Sequence, residues 1–119
     1  MTAPSEIGPS ATATEQRKAA RPRVLLSGKI VYLDGGISTD CTIRDQTPSG
    51  ARVRMSGTLA LPAEVYLIEL KSGVAFECRV AWRRLPDVGL QFISSQKLSE
   101  SDDPRLRRLK RIWVEHLAR

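Results

Sequence analysis

The sequence predicts a mainly β fold, a six-stranded antiparallel barrel followed by one α-helix. Three observations predict it. Six short apolar runs recur at near-regular spacing between residues 24 and 93. Clusters rich in Gly, Pro, Asp and Ser separate them, as turns require. Past residue 97 the apolar spacing changes to that of a helix. A closed barrel also leaves no open sheet edge to aggregate.

Residues 1–15 are rich in Ala, Thr, Ser and Pro without a periodic apolar face, and read as a disordered tail. The composition then changes abruptly. Residues 16–23, QRKAARPR, carry Arg17, Lys18, Arg21 and Arg23, while Pro22 argues against a continuing helix. This stretch reads as a basic arm leading into the first strand.

The first strand is Val24 to Leu33, followed by a hairpin turn at Asp34-Gly35-Gly36. Ser38 to Arg44 forms the second strand, with Cys41 and Ile43 on one face. Ala51 to Met55 forms the third; Ala51, Val53 and Met55 alternate with Arg52 and Arg54, the pattern of a half-buried strand. Glu64 to Leu70 is the fourth. Ala75 to Arg83 is the fifth, with Phe76, Cys78, Val80 and Trp82 expected on its apolar side. Val88 to Ile93 is the sixth. Ser101 to Pro104 offers a helix cap and a first-turn proline. Leu106, Leu109, Trp113 and Leu117 then share one helical face, expected to pack on the barrel. Arg105, Arg107, Arg108, Lys110 and Arg111 cover much of the rest. The expected organisation is thus a tail at 1–15, a barrel domain at 16–97 that includes the arm, and a helical segment at 98–119.

The chain of 119 residues carries a formal net charge of +6, so an anionic partner is expected. The low aromatic content, 5%, argues against a platform for stacking many bases. No apolar run is long enough to span a membrane as a helix, and the N-terminus lacks a signal-peptide pattern, so a cytoplasmic protein is expected. Cys41 and Cys78 sit within apolar runs and read as buried reduced thiols.

Catalytic chemistry finds no support. The single histidine, His116, falls in the last turn of the helix, where the dipole favours it. No residues have metal-ligand spacing, and no nucleophile, base and orienter stand together. The expectation is a binding module with no catalytic residues, no metal and no cofactor.

The stretch between the second and third strands, Asp45-Gln46-Thr47-Pro48-Ser49-Gly50, is the most informative. Asp45 and Thr47 are two apart and point to the same side of an extended strand end. Gly50 is able to take a positive φ. The string makes a small polar acceptor site, or simply a turn that satisfies its own backbone.

Taken in order, Arg17-Lys18-Ala19-Ala20-Arg21, Asp45 to Gly50, and Val80-Ala81-Trp82-Arg83-Arg84 with Val88-Gly89-Leu90-Gln91-Phe92 resemble the PilZ domain family. Its hallmarks are an R-x-x-x-R arm, a [D/N]-x-S-x-x-G turn, and a late W-R followed by G-[LIV]-x-F. The resemblance covers roughly residues 16–93. It implies a six-stranded barrel that binds the bacterial second messenger cyclic di-GMP. It also implies that Arg17 and Arg21 grip the ligand, that Asp45 accepts from a guanine edge with the Thr47 hydroxyl in support, and that Gly50 allows close approach. Lys18 and Arg23 are secondary contacts. Arginine suits this ligand, since its planar fork matches phosphate and the O6/N7 edge of guanine. Thr47 stands where serine is usual and Gln46 where an apolar residue is common. The expected output is ordering of the arm on binding, read by a protein partner. Two other readings stand beside it: a PilZ-like adaptor that binds protein and not nucleotide, and a small basic barrel that binds RNA or single-stranded DNA.

Overall fold

A computed structural model describes residues 23–34, 36–57 and 60–118; the side chains of Arg23 and Val24 are outside that description. Arg17, Lys18 and Arg21 lie outside the described residues. The strands are β1 (Arg23–Tyr32), β2 (Ser38–Thr47), β3 (Gly50–Met55), β4 (Glu64–Glu69), β5 (Val74–Arg84) and β6 (Asp87–Lys97). They close into a barrel in the order β1-β2-β3-β6-β5-β4, every pairing antiparallel. The expected six-stranded barrel is therefore present. β6 runs to Lys97, four residues beyond the expected end at Ile93. β2 reaches Thr47, which pairs with Gly50 and shortens the turn to Pro48-Ser49.

Two cores explain the residue patterns. Inside the barrel, Ile30, Ile43, Val53, Val65, Leu67, Cys78 and Val88 are fully enclosed, and Phe76 stacks on Phe92 with ring centroids 4.1 Å apart. Outside the barrel wall, Val31, Ile68, Leu70 and Ala75 meet Leu98, Leu106 and Leu109 from the C-terminal segment. β1 and β4 are covered on both faces where the helix crosses, so their apolar residues run consecutively. β3 has no helix over it, so its residues alternate.

Two 3₁₀ turns, Leu98–Glu100 and Pro104–Leu106, lead into α1 (Arg107–Leu117). Asp103 caps the second turn by accepting from the Arg105 amide at 2.9 Å. Trp113 donates from Nε1 to the Leu70 carbonyl at 3.0 Å and lies against Gly73, whose φ of +72° only glycine adopts without strain. The apolar face of the helix packs on the barrel as expected, with one correction. Leu117 is 57% exposed, because the last turn of α1 runs past the apolar patch on the wall.

Candidate functional site: a polar row across the barrel wall

The site begins with a fault in the alternation of β2. Ile43 pairs with Val53, but the next cross-strand partner of Arg52 is Asp45; Arg44 is the extra residue of a bulge. A bulge shifts every later side chain to the opposite face. Without it, Asp45 would point into the core beside Ile43. With it, Asp45 shares the outer face with Arg52, while the neighbours of Arg52 on β3, Ala51 and Val53, stay in the core.

The registers on either side extend this pair into a row. Arg23 on β1 lies opposite Asp45, Asp45 opposite Arg52, Arg52 opposite Gly89 on β6, and Gly89 opposite Trp82 on β5. A further register shift, between Val80 and Trp82, brings the tryptophan into line. This corrects the expectation that Trp82 lies with Phe76, Cys78 and Val80 on the apolar side. Those three remain inward or half-buried, whereas Trp82 is 43% exposed on the outer face.

Within the row, Asp45 is only 8% exposed and accepts a hydrogen bond from Arg52 Nε at 2.6 Å. Arg52 also reaches toward Asp87, at 3.9 Å from Nη1. Asp87 accepts from Arg54 Nε at 3.1 Å. That hydrogen bond, with the charges of Arg54, Arg52 and Arg44, holds the Asp87 carboxyl below the usual carboxylate range. The wall thus carries alternating charges, Asp45, Arg52, Asp87 and Arg54, over strands β2, β3 and β6.

Thr47 is on the same side as Asp45, as its spacing requires. Its hydroxyl holds the turn: it accepts from the Ser49 amide at 3.3 Å and lies 3.4 Å from the Gly50 carbonyl oxygen. Gly50 differs from expectation. Positive φ among the described glycines belongs to Gly73 alone. What Gly50 supplies is closeness to β6, since a Cβ there would stand 2.4 Å from the Leu90 carbonyl oxygen. The tight turn needs no positive φ, and Pro48 fixes its own φ negative.

Two residues of the row, Arg52 and Trp82, were not singled out as site residues from sequence. Arg52 follows from hairpin arithmetic: if Pro48 and Ser49 make the turn, Thr47 meets Gly50 and Asp45 meets Arg52. The signal for Trp82 is Gly89, a strand glycine that marks a close approach by another group. Cys41 and Cys78 are free, buried thiols, each pushed up to about 12 chiefly by desolvation. Neither faces the row.

One wall of the closed barrel thus bears a buried carboxylate, the Arg52 guanidinium and an exposed indole along one line. A family model described as PilZ domain matches residues 15–109, and the chain belongs to the PilZ family. Domains of this family are receptors and adaptors of the cyclic di-GMP-binding type rather than enzymes. A comparison with curated proteins returns no match. No helix among the described residues is long and apolar enough to cross a membrane.

Proposed function

We propose that the protein is a cyclic di-GMP receptor whose ligand lies along the Asp45–Trp82 row and is closed over by Arg17 and Arg21. One observation carries this reading: Arg23, the first residue of β1, is the cross-strand partner of Asp45. The arm therefore enters the barrel beside the acceptor carboxylate. Arg21 is two positions before Arg23, at most about 7 Å of extended chain.

The chemistry fits each position. The guanine N1–H and N2–H₂ are donors, and a carboxylate such as Asp45 is the matching acceptor. Arg17 and Arg21 carry forks suited to the phosphates and to O6/N7, with Lys18 and Arg23 adding charge. Trp82 offers a face on which a base or an arginine plane stacks. Thr47 and Gly50 act indirectly, by holding the turn and keeping β3 against β6. Binding orders the 16–23 arm and presents a changed surface to a protein partner.

Arg21→Ala tests the assignment. It should abolish cyclic di-GMP binding and leave thermal stability nearly unchanged; retained affinity would overturn the role of the arm. Limited proteolysis tests the output: saturating ligand should slow cleavage between residues 16 and 23, and unchanged cleavage would remove that mechanism.

The adaptor reading draws on the Thr47 hydroxyl, which is already engaged by its own turn. A folded protein with no nucleotide affinity would favour it. The outward Trp82 gives the single-strand reading one exposed aromatic beside a cation, so a short oligonucleotide belongs among the controls.

A further inference from the structure

We infer that the arginine-lined groove between α1 and the β1–β2 turn is a docking site for an acidic peptide segment of a partner protein, separate from the nucleotide site. Arg105, Arg107, Arg108 and Arg111 line a groove of about 410 Å³ with Leu33 and Asp34 on its far side. Arg105 is taken up by Asp103, to which it donates at 2.8 Å. Asp34 accepts from the Gly36 amide of its own turn. Arg107, Lys110 and Arg111 have no ion-pair partner among the described residues.

The cations follow the acidic start of the helical segment: Asp102 and Asp103 precede Pro104, and Arg107, Arg108, Lys110 and Arg111 come in the turns after it. Arg107 and Arg111, four residues apart, share a helix face, where like charges repel. Carboxylates supply the counter-charge that Arg107 and Arg111 lack, since Asp34 is held by its own turn and Asp103 by Arg105, and arginine forks match carboxylates in pairs. The occupant is a peptide and not a bilayer, because Leu106 and Leu109, the apolar residues of this end of the helix, are buried against the barrel. It is not a nucleic acid strand, because the groove is lined by no aromatic side chain.

The position separates docking from sensing. Arg23, opposite Asp45, starts β1, and Leu33 follows its last residue. The ten residues of β1 span roughly 30 Å at the rise of a strand. A partner held at the groove leaves the nucleotide row open. The family match ends at residue 109, so Lys110 and Arg111 lie beyond it.

The test uses the full chain and a fluorescein-labelled Glu/Asp peptide of about ten residues, read by anisotropy at moderate salt. Arg107→Glu with Arg111→Glu should weaken binding at least about tenfold. Lys71→Glu with Lys97→Glu, the same net charge change on other surfaces, should weaken it less than about threefold. The helix variant should melt close to the parent, since Arg107 and Arg111 are exposed and glutamate and arginine have similar helix propensity, so lost binding will not report lost folding. Saturating cyclic di-GMP should not displace the peptide. No peptide binding, equal loss in both variants, or displacement by the nucleotide would overturn the inference. So would Arg107- and Arg111-dependent binding that is tighter to phosphatidylserine vesicles or to oligo-dT.

Discussion

The Trp82 indole stands where a side chain at Gly89 would have to be: a Cβ there would lie 2.0 Å from Trp82 Nε1. At Gly50 the obstruction is of another kind, the backbone carbonyl oxygen of Leu90 at 2.4 Å. An exposed side chain moves aside cheaply, whereas a paired strand does not. Two glycines on neighbouring strands therefore have different roles, one in shaping the site and the other in closing the barrel.

Gly89→Ala should leave the barrel folded, with a stability change under about 1 kcal/mol, and turn Trp82 out of the row. Base stacking contributes about 1–3 kcal/mol. Cyclic di-GMP affinity should therefore fall about fivefold or more, and Trp82→Ala should match it. Urea unfolding and calorimetry read the two effects separately. Normal affinity in both variants would exclude the indole from the site.

Gly50→Ala should instead destabilise the protein by about 1–3 kcal/mol, the cost of forcing extra bulk into a packed place. The loss should show as a lower urea midpoint even without ligand. A stable variant that fails to bind would move Gly50 from the frame of the site to its contact surface.

Arg52→Ala leaves the largely buried Asp45 carboxylate without the 2.6 Å donor it now has. Hydrogen bonds to charged groups contribute about 1.5–3 kcal/mol. The substitution should cost about that much, less whatever water recovers, and should weaken nucleotide binding. Arg52→Lys, which keeps the charge and loses the fork, should recover part of both. Equal stability of Arg52→Ala and the parent would show that the pair holds nothing in place.

The pH dependence has two limbs. Cys41 and Cys78 are raised by burial to about 12 from an ordinary value of 9.0. A raised folded-state value means their contribution is complete below about pH 9 and is lost as the pH climbs toward 12, because the unfolded thiols ionise first. Each thiol should remove up to about 1.4 kcal/mol per pH unit in that window. Cys78→Ala should flatten the alkaline loss measured by urea unfolding between about pH 8 and about pH 10.5. Asp87 has the opposite sign. Its lowered value places its contribution above the ordinary carboxylate range, with loss as the pH falls through the folded value. Asp87→Asn should lessen acid sensitivity below about pH 4. Parallel curves for variant and parent would contradict either assignment.

Much of this architecture is legible in residue order. The clean alternation of β3 gives its faces, and the apolar runs of β1 and β4 give strands covered on both sides. Asp103 and Pro104 give the start of the helical segment. The polar turn stands out by composition, and the side shared by Asp45 and Thr47 follows from their spacing. What alternation could not supply is the effect of two of the register shifts. The one at Arg44 turns Asp45 out of the core, and the one near Ala81 turns Trp82 out of it. Each depends on how a strand pairs with its neighbours, which the period of one strand does not record. Leu117 illustrates the same limit: its spacing matches the buried stripe, but the apolar patch on the barrel wall ends before it.

The most direct test is a calorimetric titration of the full chain with cyclic di-GMP, with GTP, cyclic GMP and a short oligonucleotide as controls. Saturable binding selective for cyclic di-GMP, with the heat lost in Arg21→Ala, is the predicted result. A well-folded sample that takes up no cyclic di-GMP would contradict the receptor assignment and leave the chain a PilZ-family adaptor.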